Sequence, residues 1–558
     1  MAVRIHGLTR AASGKTRLPS VWSLITVAIA LPIAMPIVAI LLSLISPTSD
    51  VWTHLRETVF FEYVINTIAL LACVAVLSAV VGVGCAWLTA TKDFPARRLF
   101  AWTLILPLAA PAYVVAYAYA DMFSYSNPIQ VWLREYDVFD LSLPPIRSLF
   151  GAAFVLSFTL YPYIYLLAYN AFAQQAGSLT EAGRTLGAST RRMFWKITLP
   201  HSRPAIAGGL ALVLMESAAD FGVVDFYGVQ TLTNGIFRTW YAMGEHQAAM
   251  QLAGWLFLIV VLLVVFEQLA RRGLHVNPLS RNAPALRSNL TGWRAILAFV
   301  CCALPLSFGL VLPAALLTMH AFHTGDPTFG ADFISFVFNS VSVASIAAIL
   351  TAICAVCLIY SLRLRGERPL MRLGVRTATL GYAIPGMVLA VGVIGPLTAI
   401  DKAVANWIQS LFDTNIGLIM TGSVAALVFV YLARFLTIAF NSIESGMARI
   451  HPNYDDAARS LGAKPLKLLR QIHLPLLLPA ILTGMLLVFV DVVKELPATL
   501  ILRPFNFETL ATRAYRLASD ERIAEASTAC VFIIVVGLIP TAILATRNFG
   551  LRLTTQYR

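Results

Sequence analysis

Residues 334–361 read ISFVFNSVSVASIAAILTAICAVCLIYS and contain no charged side chain. A helix needs about 20 apolar residues to cross the hydrocarbon core of a bilayer, so this stretch is long enough to span a membrane. Eleven other apolar runs resemble it, which predicts an all-α integral membrane protein with twelve transmembrane helices. The predicted spans are 22–45, 63–90, 100–123, 148–172, 204–226, 249–269, 293–319, 334–361, 375–399, 416–441, 478–501 and 524–546.

The composition supports a membrane protein. Of the 558 residues, 58% are hydrophobic and 12% are charged, whereas soluble domains average about 45–50% apolar and about 25% charged residues. The spans leave only short loops, so we expect no separate soluble domain. The formal net charge is +13, but basic cytoplasmic loops account for such an excess in a membrane protein, and we expect no nucleic-acid partner.

Loop charges alternate in sign along the chain. Basic residues dominate the N-terminal tail and the loops at 92–98, 271–287 and 363–376, and acidic residues dominate the loops between them. Because cytoplasmic loops carry the excess of Lys and Arg, both termini are predicted to lie in the cytoplasm. We expect a multi-pass protein that is surrounded by membrane lipid.

The chain contains an internal repeat. Residues 181–200 read EAGRTLGASTRRMFWKITLP and residues 456–475 read DAARSLGAKPLKLLRQIHLP, 275 residues later. Over 181–209 and 456–484, 12 of 29 positions are identical. The halves are expected to form two parallel six-helix repeats related by an axis along the membrane normal, with a pathway between them. The predicted domains are a first permease domain (1–270), a cytoplasmic linker (271–292) and a second permease domain (293–558).

Each repeated sequence falls in a cytoplasmic loop, at 176–203 and 446–478. The pattern predicts a short helix, then a glycine that lets the chain turn, a basic stretch and a Leu-Pro pair that breaks the helix at Pro200 and re-enters the membrane. A short helix held between two spans can transmit a push to both of them. The alternative is an amphipathic surface helix that merely caps the bundle, but that explains one copy better than two.

At these residues the chain resembles the transmembrane subunits of ATP-binding-cassette importers, and the pattern matches the EAA motif of that family. Gly183 and Asp456 replace the usual Ala and Glu. The resemblance implies a type I importer permease whose repeated loops dock on two copies of a cytoplasmic ATPase. The residues carried over as ATPase-coupling residues are Glu181, Ala182, Gly183, Gly187, Asp456, Ala457, Ala458 and Gly462.

The resemblance also implies a periplasmic substrate-binding protein as a partner and a location in the bacterial inner membrane. The chain itself is expected to be no enzyme and to bind no cofactor, while the ATPase subunit uses ATP and Mg²⁺. Ser13-Gly14-Lys15-Thr16 is similar to a phosphate-binding loop, but Thr9 stands where its first glycine would fall.

Four carboxylates lie in predicted spans at equivalent positions of the two halves. Each half has a pair four residues apart, which places both members on one helix face. Acidic side chains are costly in a membrane, so we expect them to line the translocation pathway, where hard oxygen ligands suit a hard cation. The alternative is a structural role, because Lys494 could form a salt bridge within this set. The four residues are Glu216, Asp220, Asp491 and Glu495.

Three other patterns are interpreted as structural. His320 and His323 with Asp326 have metal-like spacing but lie at the outer end of a span. Cys354 and Cys357 form a CxxC inside an apolar helix, where packing is the expected role. An aromatic-rich third and fourth span could stack on an organic cation, but packing is the expected role here too. Its tyrosines are Tyr113, Tyr117, Tyr119, Tyr161, Tyr163, Tyr165 and Tyr169.

Residues 215–244 and 494–504 resemble the fused permeases of bacterial ferric-iron importers. The resemblance implies translocation of ferric iron delivered by the binding protein. Fused thiamine permeases share this layout, so thiamine or another small cation is an alternative substrate. A secondary transporter is an alternative of a different class, and the duplicated loop argues against it. No spacing of His, Cys and acidic residues supports a membrane enzyme.

Overall fold

The computed structural model describes residues 21–47, 49–125, 130–131, 135, 145–175, 189–271, 287–365, 369–413 and 417–554. Within these ranges the chain is mostly helical, as the sequence predicts. One parallel pair of two-residue strands, β1 (Lys92–Asp93) and β2 (Ser288–Asn289), joins the end of a spanning helix to the linker.

The helices fall on either side of the linker. Those before it are α1 (Val21–Ser43), α2 (Asp50–Thr58), α3 (Phe60–Thr91), α4 (Arg97–Thr103), α5 (Ala112–Met122), α6 (Leu149–Gln175), α7 (Thr190–Met193), α8 (Leu199–Ala219), α9 (Gly222–Phe226), α10 (Leu232–Tyr241) and α11 (His246–Arg271). Those after it are α12 (Trp293–Leu306), α13 (Leu312–His323), α14 (Ala331–Arg365), α15 (Pro369–Ala378), α16 (Gly386–Phe412), α17 (Val424–Met447), α18 (Asn453–Ser460), α19 (Pro465–Leu468), α20 (Leu474–Val493), α21 (Pro497–Leu502), α22 (Leu510–Ser519) and α23 (Ile523–Thr554).

Ten helices of the described ranges are long and apolar enough to cross a membrane. The number rises to eleven when Arg97–Ala109 and Ala112–Met122, which meet at a 90° bend, count as one broken span. The predicted number of twelve is therefore not confirmed. The difference lies at the predicted span 204–226, where α8 carries Arg203 and Glu216 and ends at Ala219.

In the described part of the chain, three π-helical turns precede Leu-Pro pairs. They are Phe194–Thr198, Ser307–Val311 and Leu469–His473, and the next two residues are Leu-Pro in each case. Proline lacks an N–H group and its ring displaces the carbonyl four residues back, which the wider π turn accommodates. The helix therefore continues through Pro200, and the prediction that Pro200 breaks it was wrong.

Two further prolines do interrupt helices at equivalent places in the halves. Pro111 follows the 3₁₀ turn Leu106–Ala109 and precedes α5. Pro385 follows the 3₁₀ turn Gly381–Ala383 and precedes α16. Because a residue before proline avoids the helical region, the chain turns at both points and then starts a new helix.

The chain divides into two compact units, each built from three segments. Unit 1 comprises Met1–Thr53, Ile236–Phe257 and Gly330–Thr512, and unit 2 comprises His54–Gly235, Leu258–Phe329 and Arg513–Arg558. In unit 1, α1 packs on α14, α15 and α16; in unit 2, α13 packs on α23 and α5. The compact units therefore differ from the sequence halves, because each unit combines segments from both halves of the chain.

The tyrosine-rich segments form part of the interior of unit 2. Tyr117, Tyr161 and Tyr165 are fully buried, and Tyr119 donates a hydrogen bond to the Phe308 carbonyl. Side chains so enclosed by protein are packing residues. This confirms the packing interpretation over the stacking of an organic cation.

A repeated glycine lets one helix approach another in each half. A Cβ atom on Gly209 of α8 would lie 2.7 Å from the Ile164 Cα atom of α6. A Cβ atom on Gly484 of α20 would lie 3.2 Å from the Ala439 Cα atom of α17. Small residues permit this close packing of membrane helices, so the repeat preserves the contact between equivalent helices.

Candidate functional site

The second repeated loop forms a short helix with one exposed and one buried face. In α18 only Asp455 and Ala458 are buried, while Asp456 and Ala457 are exposed. Leu461, at the end of the helix, is 87% exposed. Apolar side chains held in water on a polar loop are typical of a surface that a partner covers.

Gly462 ends α18 in a conformation that suits glycine. Its φ is +76°, in the left-handed region that other residues adopt at a cost. The Gly462 N–H donates to the Arg459 carbonyl at 2.9 Å, and the Ala463 N–H donates to the Ala458 carbonyl at 3.0 Å. These two bonds form a Schellman motif, which explains the glycine in the repeated pattern.

A buried carboxylate anchors α18 to two other elements of unit 1. Arg363, near the end of α14, donates from Nε to Asp455 Oδ2 at 2.8 Å and from Nη2 to Asp455 Oδ1 at 3.3 Å. His473, in the third π turn, lies with Nε2 2.9 Å from Asp455 Oδ1. We call Arg363, Asp455 and His473 the anchor triad. It fixes the short helix to the end of α14 and to the π turn that leads into α20.

The anchor triad keeps Asp455 ionised. Burial of the carboxyl group favours its neutral form, but the hydrogen bonds from His473 and Arg363 outweigh burial and lower the pKa to about 2. The Arg363 Nη2 atom also donates to the Ile450 carbonyl at 3.0 Å. The charged groups therefore have the partners that buried charges require.

The acid of the sequence motif and the buried acid are different residues. Asp456, the predicted coupling residue, has a side chain 57% exposed, 4.0 Å from the Arg459 guanidinium. Its neighbour Asp455 carries the anchor. Sequence reasoning missed the anchor triad because its members lie far apart in the chain, and the doubled acid at 455–456 was the only local signal.

The first copy of the loop lies largely outside the described residues. Glu181, Ala182, Gly183 and Gly187 belong to this part, and the described chain resumes at Ser189. At the repeat distance of 275 residues, Thr180 stands in place of Asp455 and Thr198 in place of His473. The first copy thus lacks two of the ionisable groups of the anchor triad.

Two of the four carboxylates that the sequence places in spans cap short helices. The Val223 N–H of α9 donates to Asp220 Oδ1 at 3.0 Å. The Ala498 N–H of α21 donates to Glu495 Oε1 at 3.3 Å. Carboxylates suit such positions because the first N–H groups of a helix have no partner within it. Equivalent residues thus stabilise the same break in both halves.

The second-half carboxylates also form ion pairs. Asp491 lies 2.7 Å from the Lys494 ammonium, and Glu495 accepts a hydrogen bond from the buried Arg434 guanidinium at 2.8 Å. The salt-bridge alternative for part of this set is confirmed. Glu216 differs: it is half-buried, and it has no hydrogen bond or ion pair within the described part of the chain.

At the end of α13, two side chains of the metal-like pattern form pairs with other residues of the chain. His320 lies 2.9 Å from the Asp121 carboxylate. Asp326 accepts two hydrogen bonds from Arg513, at 2.9 and 2.7 Å. Among the residues that the structure describes, no group of three His, Cys, Asp or Glu side chains is placed to hold a metal ion.

Comparison with known proteins identifies a duplicated family domain. The model of the family "Binding-protein-dependent transport system inner membrane component" matches residues 78–270 and 359–548. Each matched segment contains one copy of the repeated loop. The chain is 23% identical over 544 residues to the "Fe(3+)-transport system permease protein FbpB 2" of Haemophilus influenzae, with coverage of 96% of this chain and 99% of that protein.

Other relatives match a part of the chain. The "Sulfate transport system permease protein CysT" of Escherichia coli is 29% identical over 152 residues, which are 27% of this chain and 53% of that protein. The "Spermidine/putrescine transport system permease protein PotB" of the same species is 30% identical over 189 residues, 32% of this chain and 66% of that protein.

Proposed function

Since the chain belongs to the family of binding-protein-dependent transport system inner membrane components, we propose that it translocates ferric iron through the membrane. It is a type I ATP-binding-cassette importer permease and not an enzyme. Its apolar helices make it a multi-pass inner-membrane protein. The proposed domains are the sequence halves 1–270 and 293–558, joined by the linker 271–292, with both termini in the cytoplasm.

One observation carries the proposal of iron: the near full-length likeness to a permease described as an Fe(3+) transporter. The sulfate and polyamine permeases align with about a third of the chain or less, so they share the family domain without the fused layout. A sulfate ion would also be repelled by carboxylates in a pathway of low dielectric constant.

For coupling, we propose that the exposed face of α18 binds a cytoplasmic ATPase subunit. Asp456, Ala457 and Leu461 lie on that face or directly follow it, and Gly462 sets the turn. Ala458 lies on the opposite, buried face of the helix. We assign the same task to Glu181, Ala182, Gly183 and Gly187 of the first copy, which gives two ATPase subunits per permease, with ATP and Mg²⁺ bound there.

For translocation, we propose that Glu216 is the carboxylate that meets the cation. Its freedom from ion pairs within the described chain leaves its oxygens available, and carboxylate oxygens are ligands that hard cations prefer. Asp220, Asp491 and Glu495 are proposed to line the same pathway while they cap or pair with neighbours. Delivery by a periplasmic binding protein would supply most of the selectivity.

The test is uptake by cells with and without this gene. Cells are given radiolabelled ferric iron, thiamine, sulfate or spermidine in separate assays. We expect gene-dependent uptake of ferric iron alone. Gene-dependent uptake of thiamine or spermidine with no effect on iron would overturn the substrate and leave the importer class intact.

A further inference from the structure

Two thiols from different halves of the chain meet in the interior of unit 2. Cys85 lies in α3 and Cys302 in α12, and both side chains are buried. The Cys85 thiol donates a hydrogen bond to the Cys301 carbonyl at 3.5 Å, and the Cys85 and Cys302 thiols are in hydrogen-bonding contact with each other. We call Cys85 and Cys302 the thiol pair. Its members are far apart in sequence, so packing alone brings them together.

A tyrosine of α6 lies beside the thiol pair. Tyr161 is fully buried, and its hydroxyl group has no hydrogen-bond partner. The Tyr161 side chain interacts electrostatically with both Cys85 and Cys302. Gly82, one turn before Cys85, lets α6 approach α3 this closely, since a Cβ atom there would lie 3.0 Å from the Tyr161 carbonyl oxygen.

The unpaired Tyr161 hydroxyl points to an anion beside the thiols. A buried hydroxyl group that makes no hydrogen bond costs free energy, because it has lost its contacts with water. A neutral thiol is a weak hydrogen-bond acceptor, whereas a thiolate carries a full negative charge and accepts more strongly. Ionisation of one thiol would therefore give the Tyr161 hydroxyl the partner that it lacks.

The surroundings of the thiol pair restrict the charge that can be held there. The pair belongs to a buried apolar cluster formed by α3, α4, α6 and α12, and a charge without a counter-ion is costly in such a place. A bound ion must therefore leave the site with no net charge. Members of the cluster next to the pair in these helices are Ala86, Phe100, Ala101, Tyr165 and Ala298.

A monovalent soft cation meets these conditions. Sulfur ligands select Cu(I) among the biological metal ions, and metal binding displaces a proton from a thiol. The Cys85 thiol already donates its proton to the Cys301 carbonyl, so Cys302 is the group that loses its proton to the solvent. The charge of Cu(I) then balances the charge of one thiolate, and copper keeps its oxidation state.

We propose that the thiol pair is a two-coordinate site for Cu(I), in which Cys302 binds as a thiolate and Cys85 as a neutral thiol. The Tyr161 hydroxyl donates a hydrogen bond to the Cys302 sulfur and is a positioning residue. Bound copper would join α3 of the first half to α12 of the second half. The proposal depends on the local packing of unit 2 and not on the transported substrate.

The test measures Cu(I) binding to the reduced full-length protein in detergent. Cu(I) is titrated in competition with the chelator bicinchoninate, X-ray absorption at the copper edge identifies the ligands, and thermal unfolding is followed in parallel. We expect one Cu(I) per chain with sulfur ligands. Cys85→Ser and Cys302→Ser should each lose this binding. The control Cys354→Ser with Cys357→Ser removes two partly buried thiols of α14 and should keep it.

Tyr161→Phe tests the positioning role in a variant that should fold. It removes a buried hydroxyl group that has no partner, so the metal-free protein should melt at the same temperature as the parent or slightly higher. Its Cu(I) affinity should fall about tenfold, as is typical when a group that orients a metal ligand is lost. A tyrosine that serves only as packing would leave the affinity unchanged.

Three results would overturn the proposal. The first is unchanged Cu(I) binding by Cys85→Ser, Cys302→Ser or, should these two fail to fold, by Tyr161→Phe. The second is an equal loss of binding in the control at Cys354 and Cys357. The third is a Cys85–Cys302 disulfide in protein purified without reductant, identified by peptide mass spectrometry, which would assign the thiol pair to oxidation.

Discussion

The Asp455 carboxylate accepts hydrogen bonds from a helix end and from a π turn, through Arg363 and His473. All three side chains are buried. A charge in such a place is stable only while its partners stay, because removing one leaves the others buried and uncompensated. The anchor triad therefore makes the position of α18 depend on α14 and on the chain that enters α20.

We expect Asp455→Asn to lower the free energy of unfolding by about 3 kcal/mol and to weaken ATP-driven transport more than ATPase binding. The exposed face of α18 is unchanged in this variant, but its link to the spanning helices is weaker. Thermal unfolding, co-purification of the ATPase and uptake are measured together. Lys402→Gln, which removes an exposed charge from α16, should leave all three unchanged. Equal losses of binding and transport by Asp455→Asn would argue against an anchoring role.

The anchor triad also predicts a pH dependence. The pKa of Asp455 is about 2 in the folded protein and about 3.9 in an unfolded chain. A lowered carboxyl pKa stabilises the fold at pH values above the unfolded pKa, and this contribution of about 2–3 kcal/mol disappears as the pH falls towards the folded pKa. The difference in melting temperature between the parent protein and Asp455→Asn should therefore be constant from pH 7 to about pH 5 and shrink below about pH 4. A difference that grows with acidification would contradict this assignment.

For single residues, the sequence indicated that the carboxylates would form ion pairs, but it identified a partner only where that partner was close in the chain. The Asp491–Lys494 pair was open to prediction because the two residues lie on one turn of a helix. The pairing of Glu495 with Arg434 could not be predicted from the sequence, because 61 residues separate them and tertiary packing alone brings them together. The same distance in sequence hid the link between Asp455 and Arg363.

The helix α18 ends at a turn in which Gly462 takes a left-handed backbone conformation. We expect Gly462→Val to weaken co-purification of the ATPase about tenfold, because a β-branched residue strains this backbone and tilts the exposed face. Gly462→Asn should keep most of the binding, since Asn tolerates the same conformation. Comparable binding by the two variants would show that the turn does not position the helix.

The close approach of α8 to α6 predicts an order of stabilities. Gly209→Ala would place a Cβ atom 2.7 Å from a backbone Cα atom, whereas Gly484→Ala would place it 3.2 Å away. We expect Gly209→Ala to cost about 1–3 kcal/mol and Gly484→Ala to cost less. Gly84→Ala in α3 has no atom within 4 Å of the new Cβ and should be neutral or slightly stabilising. Thermal unfolding would contradict this account if Gly84→Ala were the least stable of the three.

Hydrophobic runs predicted most of the long helices, because a span must be both long and apolar. The runs did not show where helices bend. The sequence predicted a helix break at Pro200, and a π turn instead lets the helix continue. Breaks occur at Asp220 and near Glu495, where carboxylates satisfy the N–H groups of the next helix, and an apolar run carries no signal for such capping.

At the scale of the whole chain, the sequence repeat and the packing units have different boundaries. The repeat predicts two halves, and the family model matches one segment in each. Yet α1 packs in unit 1 with helices of the second half, and α13 packs in unit 2 both with α5 of the first half and with α23 of its own half. A repeated pattern identifies equivalent helices, but it does not tell which neighbour covers each apolar face.

The proposed cation pathway predicts a selective loss of transport in Glu216→Gln. We expect about a tenfold lower rate of iron uptake, because an amide attracts a cation less than a carboxylate does, together with unchanged ATPase binding. The control is Glu444→Gln, which neutralises a half-buried carboxyl group on α17 and should transport normally. Normal transport by Glu216→Gln would remove this residue from the pathway.

We propose that import by this chain is driven by ATP that a partner subunit hydrolyses. The most direct measurement reconstitutes the purified permease with its ATPase and binding protein in liposomes and follows accumulation of radiolabelled ferric iron with ATP on the ATPase side. We predict accumulation that requires ATP and the binding protein and that survives an uncoupler. Accumulation without ATP that collapses with an uncoupler would contradict the claim and indicate a secondary transporter.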